Sequence, residues 1–462
     1  MNKDLNKKNL DFFPSPSGPN KELFTALNKT SNLLCEWFSV SEKLDPLANN
    51  IKFKFSSPTE EGKNFENLLK EINDLVYSSF NPSNPGSLAH LDPPPLTVSI
   101  IGDLVAGSLN NNLLAKELSP SISILEKEMC EWFALKLGFG NKAGGIAASG
   151  GTLNNLNALV SARNISGFQS DPDAAFVVSR DAHVSFKKCA RIMGLKRENI
   201  IIIDTDDCGR MDPLKLENQI KKHLKIGKRI FAVVATLGTT MRGAIDPISE
   251  IKKICNMNNI WLHIDGSIGA IFSMIKKQIK GIGDIHNANS ITINPQKVLG
   301  ITKTSSLLIV KNIKSLQETF QTGLPYLDSN DEFINRGELG IQGSRPAEII
   351  KLWLGIKFLG ESGIEKILNE SIARRKLLEQ NLNSQKFDIY SGPLHIISFI
   401  PKTLNKIESE SWTHNAKKVL LQNKFMLSRP FYQNKFFLRS VLGNPNTQDS
   451  HILSLSKLLN EI

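Results

Sequence analysis

Cysteine is scarce in this chain of 462 residues: there are five, Cys35, Cys130, Cys189, Cys208 and Cys255. They make no CxxC pair and no metal-ligand spacing. That excludes a disulfide scaffold and reads as reduced thiols in a reducing compartment. Long apolar runs are also missing. No stretch approaches the roughly 20 residues a membrane span requires. The basic start, Met1 to Leu10, has no apolar segment behind it, so no secretory signal is visible. Both absences point to the cytoplasm. Net charge is +11, but the lysines are dispersed in pairs such as Lys187-Lys188 and Lys252-Lys253. Without a dense basic tract interleaved with aromatics, nucleic-acid binding is not expected; attraction of anionic substrates stays open. No internal repeat is present.

Forty per cent of residues are hydrophobic and 22% charged, a composition that folds rather than staying disordered, and the length suits two or three domains. Residues 1–20 carry Pro14, Pro16, Gly18 and Pro19 and read as an exposed arm; residues 21–80 have helical apolar spacing. Asn81-Pro82-Ser83-Asn84-Pro85-Gly86 is a breaker cluster, and Asp92-Pro93-Pro94-Pro95 must be extended. Short β-rich runs at 175–179, 200–204, 231–236, 260–265, 290–293 and 306–310 are separated by segments of helix length in several places. This pattern argues for an α/β domain with a mostly parallel mixed sheet. Helices at 346–360 and 364–381, strands at 395–400 and 436–442 and a last helix at 450–462 suggest a smaller C-terminal α+β domain. The expected division is 1–85 (arm and helical segment, a dimer contact), 86–360 (large α/β domain) and 361–462 (small domain).

Open α/β sheets bind ligands beyond the carboxyl ends of their strands, so the residues after each strand carry the functional information. Gly144 to Thr152 is a small-residue loop running into a helix; its bare N–H groups suit a phosphate, with the Ser149 and Thr152 hydroxyls as added donors, or it is a tight turn without ligand. Asp265 ends an apolar strand, where a carboxylate needs a partner such as a protonated ring nitrogen, or caps the next helix. Lys297, after 290–293, can form a Schiff base if its pKa is depressed, or is a solvated charge; Lys303 is the local competitor. His183 follows 175–179 and can stack on an aromatic ring or shuttle protons, or is a surface turn histidine. Together, in this order, these are the contacts that pyridoxal 5'-phosphate needs.

The chain resembles the pyridoxal-phosphate-dependent group II amino-acid decarboxylases, which include glutamate, cysteine-sulfinate, aromatic-L-amino-acid and 2,4-diaminobutyrate decarboxylases. The similarity runs from about His90 to the C-terminus. It is densest in Ala235-Thr236-Leu237-Gly238-Thr239-Thr240, Gly243-Ala244-Ile245-Asp246-Pro247-Ile248, 260–265, Asn294 to Lys297, Lys351-Leu352-Trp353-Leu354 and Leu438 to Pro445. It implies a fold-type I pyridoxal-phosphate-dependent transferase architecture and decarboxylation of an L-amino acid to its amine and carbon dioxide. It assigns Lys297 the Schiff base, Asp265 the ring nitrogen and His183 the stacking position. Gly151 and Thr152, with Ser149 close by, take the phosphate, and Thr240 lies near the ring. It also assigns Tyr326 the proton to Cα, Arg439 the substrate carboxylate and His90 the substrate pocket. A homodimer with shared active sites is implied too. Two departures stand out. Gln296 replaces the usual His before the lysine and cannot titrate near neutral pH; Gly266 and Ser267 replace two alanines after the aspartate. Other fold-type I chemistry (aldehyde formation, transamination, aldol cleavage, desulfuration) and a non-catalytic cofactor-binding protein remain the alternatives.

Overall fold

The computed structural model describes residues 10–49, 51–277, 279–323 and 333–462. The first half of the chain supplies helices α1 (Lys21–Val40), α2 (Phe65–Tyr77), α3 (Thr97–Leu109) and α4 (Pro120–Lys136). Strand β1 (Gly144–Ala148) and helix α5 (Gly151–Ile165) follow, then β2 (Ala175–Ser179), α6 (Ser185–Ile192), β3 (Ile200–Ile203) and α7 (Pro213–Lys225). Next come β4 (Ile230–Thr236), α8 (Ile248–Met257), β5 (Trp261–Gly266), β6 (Ser290–Ile293), β7 (Ser306–Val310) and α9 (Lys314–Phe320). The remainder forms α10 (Ile349–Asn381), β8 (Phe387–Ser391), β9 (Ile396–Pro401), α11 (Lys406–Gln422), β10 (Phe431–Tyr432), β11 (Lys435–Phe436), β12 (Leu438–Val441) and α12 (Asp449–Glu461). Among the described residues no helix is long and apolar enough to cross a membrane.

The large sheet has the order β1-β7-β6-β5-β4-β2-β3. Strands β2 to β6 run parallel, and β7 is antiparallel to both its neighbours. A sheet covered on both faces needs strands that are apolar throughout. Along β2, Ala175 and Val177 point into the larger core, while Phe176 and Val178 point into a second core with Phe186 and Phe231. The period-two alternation thus feeds two apolar layers. Each large apolar side chain fully buried this way contributes roughly 1.5–3 kcal/mol. Helix ends follow local chemistry: Asp212 accepts from the N–H groups of Leu214 and Lys215 ahead of Pro213, and Lys222, His223 and Lys225 fill the last turn of α7.

A smaller antiparallel sheet, β12-β9-β8, packs around a separate apolar cluster with α11, α12 and the end of α10; β10 and β11 form a two-stranded hairpin beside it. The helices expected at 346–360 and 364–381 are both present: α10 is two helical stretches that meet in a kink at Gly360, whose φ of 60° and ψ of 178° are not helical. The stretch 144–148, expected as part of a phosphate loop, is instead the edge strand β1, paired with β7. Glycine is there for proximity. A Cβ on Gly145 would lie 2.2 Å from the Leu308 oxygen, so only glycine lets the two backbones approach this closely. The turn that enters α5 is therefore short, Ser149-Gly150, with Gly150 at φ 147°.

Candidate active site at the carboxyl ends of the strands

A cavity of about 240 Å³ opens at the carboxyl ends of the central parallel strands. Gly151, Thr152 and Asn155 reach it from the start of α5, and Asp181 and His183 from the turn after β2. Thr236 at the end of β4 and Gly238, Thr239 and Thr240 after it line the cavity, with Asp265 and Ser267 at the end of β5 and Asn294, Gln296 and Lys297 after β6. The topology explains the convergence: β4, β5 and β6 are adjacent and parallel, so their carboxyl ends open on one edge.

Asp265 is buried. Burial pushes its carboxyl up, but the Lys297 ammonium, hydrogen bonding from Ser267, and His183 and His263 outweigh it and hold the group below its ordinary range. Its Oδ1 accepts from the Ser267 N–H at 3.2 Å and its Oδ2 from Asn155 Nδ2 at 3.1 Å. Lys297 sits on the single 3-10 turn Pro295–Lys297, which β6 places directly at the cavity floor. Burial lowers its amine from the usual lysine value, and Asp265 opposes part of that shift. A lowered ammonium pKa is what makes a lysine nucleophilic near neutral pH.

His183 stands at the open mouth, where its Nδ1 accepts from the Ser185 N–H at 3.2 Å, leaving Nε2 as the protonated nitrogen of the neutral ring. Burial is the first cause lowering its pKa; Asp265 opposes it, and Lys297 and Lys188 add to it. Gln296 Oε1 accepts from the Ser305 N–H at 2.5 Å, so this side chain braces the strand that follows the lysine. Ser149, by contrast, lies on an exposed turn and does not line the cavity. His90 and Arg439 stand beside it rather than in its wall. Arg439 links them to it, donating to the oxygens of Thr240 and Ala89. Tyr326 lies outside the described residues.

Two side chains with no role in the sequence reading prove central. Asn155 and His263 are both buried and hydrogen-bonded to one another behind Asp265. Polar residues facing an apolar layer were the available signal; the partner could not be read because the two are 108 positions apart.

The residues suit pyridoxal phosphate. A Cβ on Gly151 would stand 2.6 Å from Ser267 Oγ and 3.0 Å from Asn294 Nδ2, so the helix entry is kept free for a group that approaches the backbone. The Thr236 hydroxyl is buried at the cavity wall with no partner. Lys297 Nζ has no ion-pair or hydrogen-bond partner among the described residues, although a carboxylate faces the same cavity.

Residues 51–399 match the pyridoxal-dependent decarboxylase conserved domain. This chain belongs to that family. It is a pyridoxal-phosphate-dependent amino-acid decarboxylase, a carboxy-lyase. The acidic amino acid decarboxylase GADL1 of Xenopus tropicalis is 30% identical over 414 residues, covering 85% of this chain and 78% of its own length. An aromatic-L-amino-acid decarboxylase of Bacillus atrophaeus is 29% identical over 431 residues, covering 90% and 89%. Among solved structures, Oryza sativa TDC with PLP and tryptamine superposes with a TM-score of 0.90 at 19% identity, covering 97% of this chain and 98% of its own. Mouse CSAD gives 0.87 at 21%, covering 96% and 99%. These two likenesses establish the fold-type I architecture of the decarboxylase.

Proposed function

We propose that this decarboxylase acts on an L-amino acid with Lys297 and Asp265 as its two principal groups. The observation that carries this is their placement at the ends of adjacent parallel strands, facing one cavity with space between them. When bound, pyridoxal phosphate supplies an aldehyde for amines and a ring that accepts the electron pair left at Cα. Gly151 and Thr152 would hold its phosphate at the entry of α5, and Thr240 and His183 would flank the ring. Asp265 would hold a proton at the ring nitrogen, charge stabilisation supplied before the reaction starts. Lys297 would join the aldehyde covalently and yield it to the substrate amine. Arg439 would receive the substrate carboxylate, and Tyr326 would deliver the proton to Cα. Gln296 would orient the turn that carries the lysine and would exchange no proton.

Acidic side chains are the substrate class we favour. His90 feels burial first and then Arg439, Lys417 and Lys303, all of which lower its pKa. The imidazole beside the cavity therefore favours its neutral form and lies under positive potential. Curated relatives named for acidic amino acids support the same class.

We further infer a homodimer. Exposed apolar side chains on α3, Ile101, Leu104 and Leu109, support it, as do Phe24 and Leu27 on α1. The five free cysteines support a cytoplasmic location. The division into 1–85, 86–360 and 361–462 is part of the same proposal.

The test is borohydride reduction of the purified protein followed by peptide mapping. We expect the cofactor on residue 297, and carbon dioxide plus an amine from a panel of acidic, aromatic and basic amino acids. Label on another lysine, or keto acid or aldehyde as the main product, would overturn the reading.

A further inference from the structure

Running back from Asn155 at the cavity wall, behind Asp265, lies a chain of hydrogen-bonded side chains, most of them buried, that the chemistry above does not use. Trp261 Nε1 donates to Ser290 Oγ at 2.8 Å, and Ser290 Oγ meets His263 Nδ1 at 2.9 Å. His263 Nε2 meets Asn155 Oδ1 at 3.1 Å, and Asn155 Nδ2 donates to Asp265 Oδ2 at 3.1 Å. Both strands β5 and β6 contribute, because His263 pairs directly with Ser290 in the sheet register.

The direction of every proton in this run follows from its two ends. An indole N–H can only donate, and an ionised carboxylate can only accept. Asp265 therefore requires the amide nitrogen of Asn155, which leaves Oδ1 toward the imidazole. Turning the amide around would set two oxygens against each other at the carboxylate. Asn155 Oδ1 also accepts from Thr292 Oγ1 at 2.8 Å. Nε2 of His263 must then carry its proton and Nδ1 must be bare. Ser290 accepts from Trp261 and donates to Nδ1. A second proton on His263 would put two N–H groups on Ser290 Oγ and leave the serine proton without its acceptor. Full burial, which lowers the pKa of His263 to about 4, agrees with a neutral ring; Asp265 and a hydrogen bond with the Ser290 backbone oppose the shift.

We propose that Asn155 and His263 are positioning residues: with Ser290 and Trp261 they form a one-directional chain of hydrogen-bond donors that ends on Asp265 and keeps its carboxylate an acceptor for the cofactor's ring nitrogen. This rests on the reading of Asp265 given above and deepens it. The chain does two things for the carboxylate. It occupies one lone-pair direction of Oδ2, so the rotation of the group is fixed. It also stabilises the charged form with a donor that has no alternative partner of equal strength; the other amide hydrogen reaches only Ser185 Oγ at 3.4 Å. The titratable groups around Asp265 are Lys297 and His183 on the cavity side, His263 behind, and Cys189 on α6, whose thiol burial pushes up to about 12. None of these replaces the Asn155 amide as a neutral donor.

The experiment uses the full-length holoenzyme without substrate. Its bound chromophore is titrated by absorbance from pH 5 to 10 in the wild type, Asn155→Leu and Trp261→Phe, with a thermal melt of each. A carboxylate deprived of its donor draws the ring proton toward itself. A less protonated ring holds the proton at the Lys297 nitrogen more tightly, so the midpoint rises. A hydrogen bond to a charged group corresponds to about one pH unit or more, roughly tenfold in proton affinity. We expect that shift in Asn155→Leu and a smaller one of the same sign in Trp261→Phe, which touches Asp265 only through the chain. Imidazole nitrogen NMR of the wild type, assigned with His263→Gln, should show His263 as the neutral Nε2–H form at pH 7. An unchanged midpoint in a folded Asn155→Leu overturns the proposal. So does a His263 protonated at Nδ1 in the wild type, a result that needs no folded Asn155 or Trp261 variant. Borohydride mapping of the wild type separates the two readings. Label away from Lys297 removes the proposed function, whereas label on Lys297 with an unmoved midpoint removes this inference alone.

Discussion

Arg439 Nη1 donates to the main-chain oxygen of Thr240 at 2.9 Å, tying β12 of the small sheet to a wall of the cavity. The same guanidinium donates from Nη2 to the Ala89 oxygen at 3.1 Å and from Nε to Ser428 Oγ at 2.9 Å. Of its five N–H groups, two stay free for an incoming carboxylate. A lysine ammonium cannot span these acceptors. Arg439→Lys should therefore lose about 1–3 kcal/mol of stability in urea unfolding and raise KM for the amino acid about tenfold or more, with kcat less affected. Ser428→Ala removes only the Nε contact and should leave KM near wild type. An unchanged KM in Arg439→Lys would confine the arginine to a structural role.

Glu126 on α4 is a fully buried charge held by two arginines. Arg345 grips it with both terminal nitrogens at 2.6 Å, and Arg336 Nε adds a contact at 3.0 Å. Arg336 also donates to the Gly145 oxygen, so the cluster secures the edge strand β1 as well. Removing one member strands the others in the interior. Glu126→Gln should cost about 3–5 kcal/mol, read as a lower denaturation midpoint. Burial raises this carboxyl, but the two arginines outweigh it and leave it below the ordinary range. A depressed folded value means the stabilisation is complete above the unfolded carboxylate pKa and is lost as pH falls through the folded one. Wild-type unfolding should accordingly steepen below about pH 4.3, the unfolded glutamate value, and the Gln variant should show a weaker acid dependence.

Gln296 gives a test of proton inventory. Its oxygen accepts from the Ser305 N–H, and a neutral histidine ring nitrogen can accept there too. Gln296→His should fold with little loss of stability and add an ionisation between about pH 5.5 and 7.5 to the kcat/KM profile. If the two profiles coincide, position 296 does not sense protonation of the site.

The sheet was legible because its strands are apolar on both faces and separated by helix-length segments; runs such as 231–236 leave no other reading. Lys297, Asp265 and His183 were legible for a related reason: each follows a strand, and parallel strands bring their ends together. What the sequence hid was proximity across the chain. Gly144 and Gly145 looked like loop residues because their function is to let β7 approach, and that neighbour lies some 160 positions away. Asn155 and His263 were invisible for the same reason. Strands β8 and helix α11 were missed as well; in β8 the partly buried pattern of Phe387–Ser391 blurs the alternation.

The departure Ser267 can be tested against its neighbour Gly151. A methyl group at 151 would lie 2.6 Å from Ser267 Oγ and 3.0 Å from Asn294 Nδ2. Asn294 cannot retreat easily: its Oδ1 accepts from Ser306 Oγ at 2.6 Å, and that hydroxyl accepts from Asn154 at 2.7 Å. Ser267 meets Asp265 through its backbone N–H and its side chain, and its hydroxyl is the contact with residue 151 that substitution can remove. Gly151→Ala should thus weaken retention of added pyridoxal phosphate by about tenfold or more, a loss of about 1.4 kcal/mol per factor of ten, because the methyl group fills the helix entry. Ser267→Ala alone should retain the cofactor nearly as well as wild type. The double variant Gly151→Ala/Ser267→Ala should recover part of the loss, since the 2.6 Å conflict is gone and the 3.0 Å one remains. Equilibrium dialysis with fluorescence detection measures all three. Additive effects of the two substitutions would show that the hydroxyl and the methyl group never compete for the same space, and would place the phosphate elsewhere.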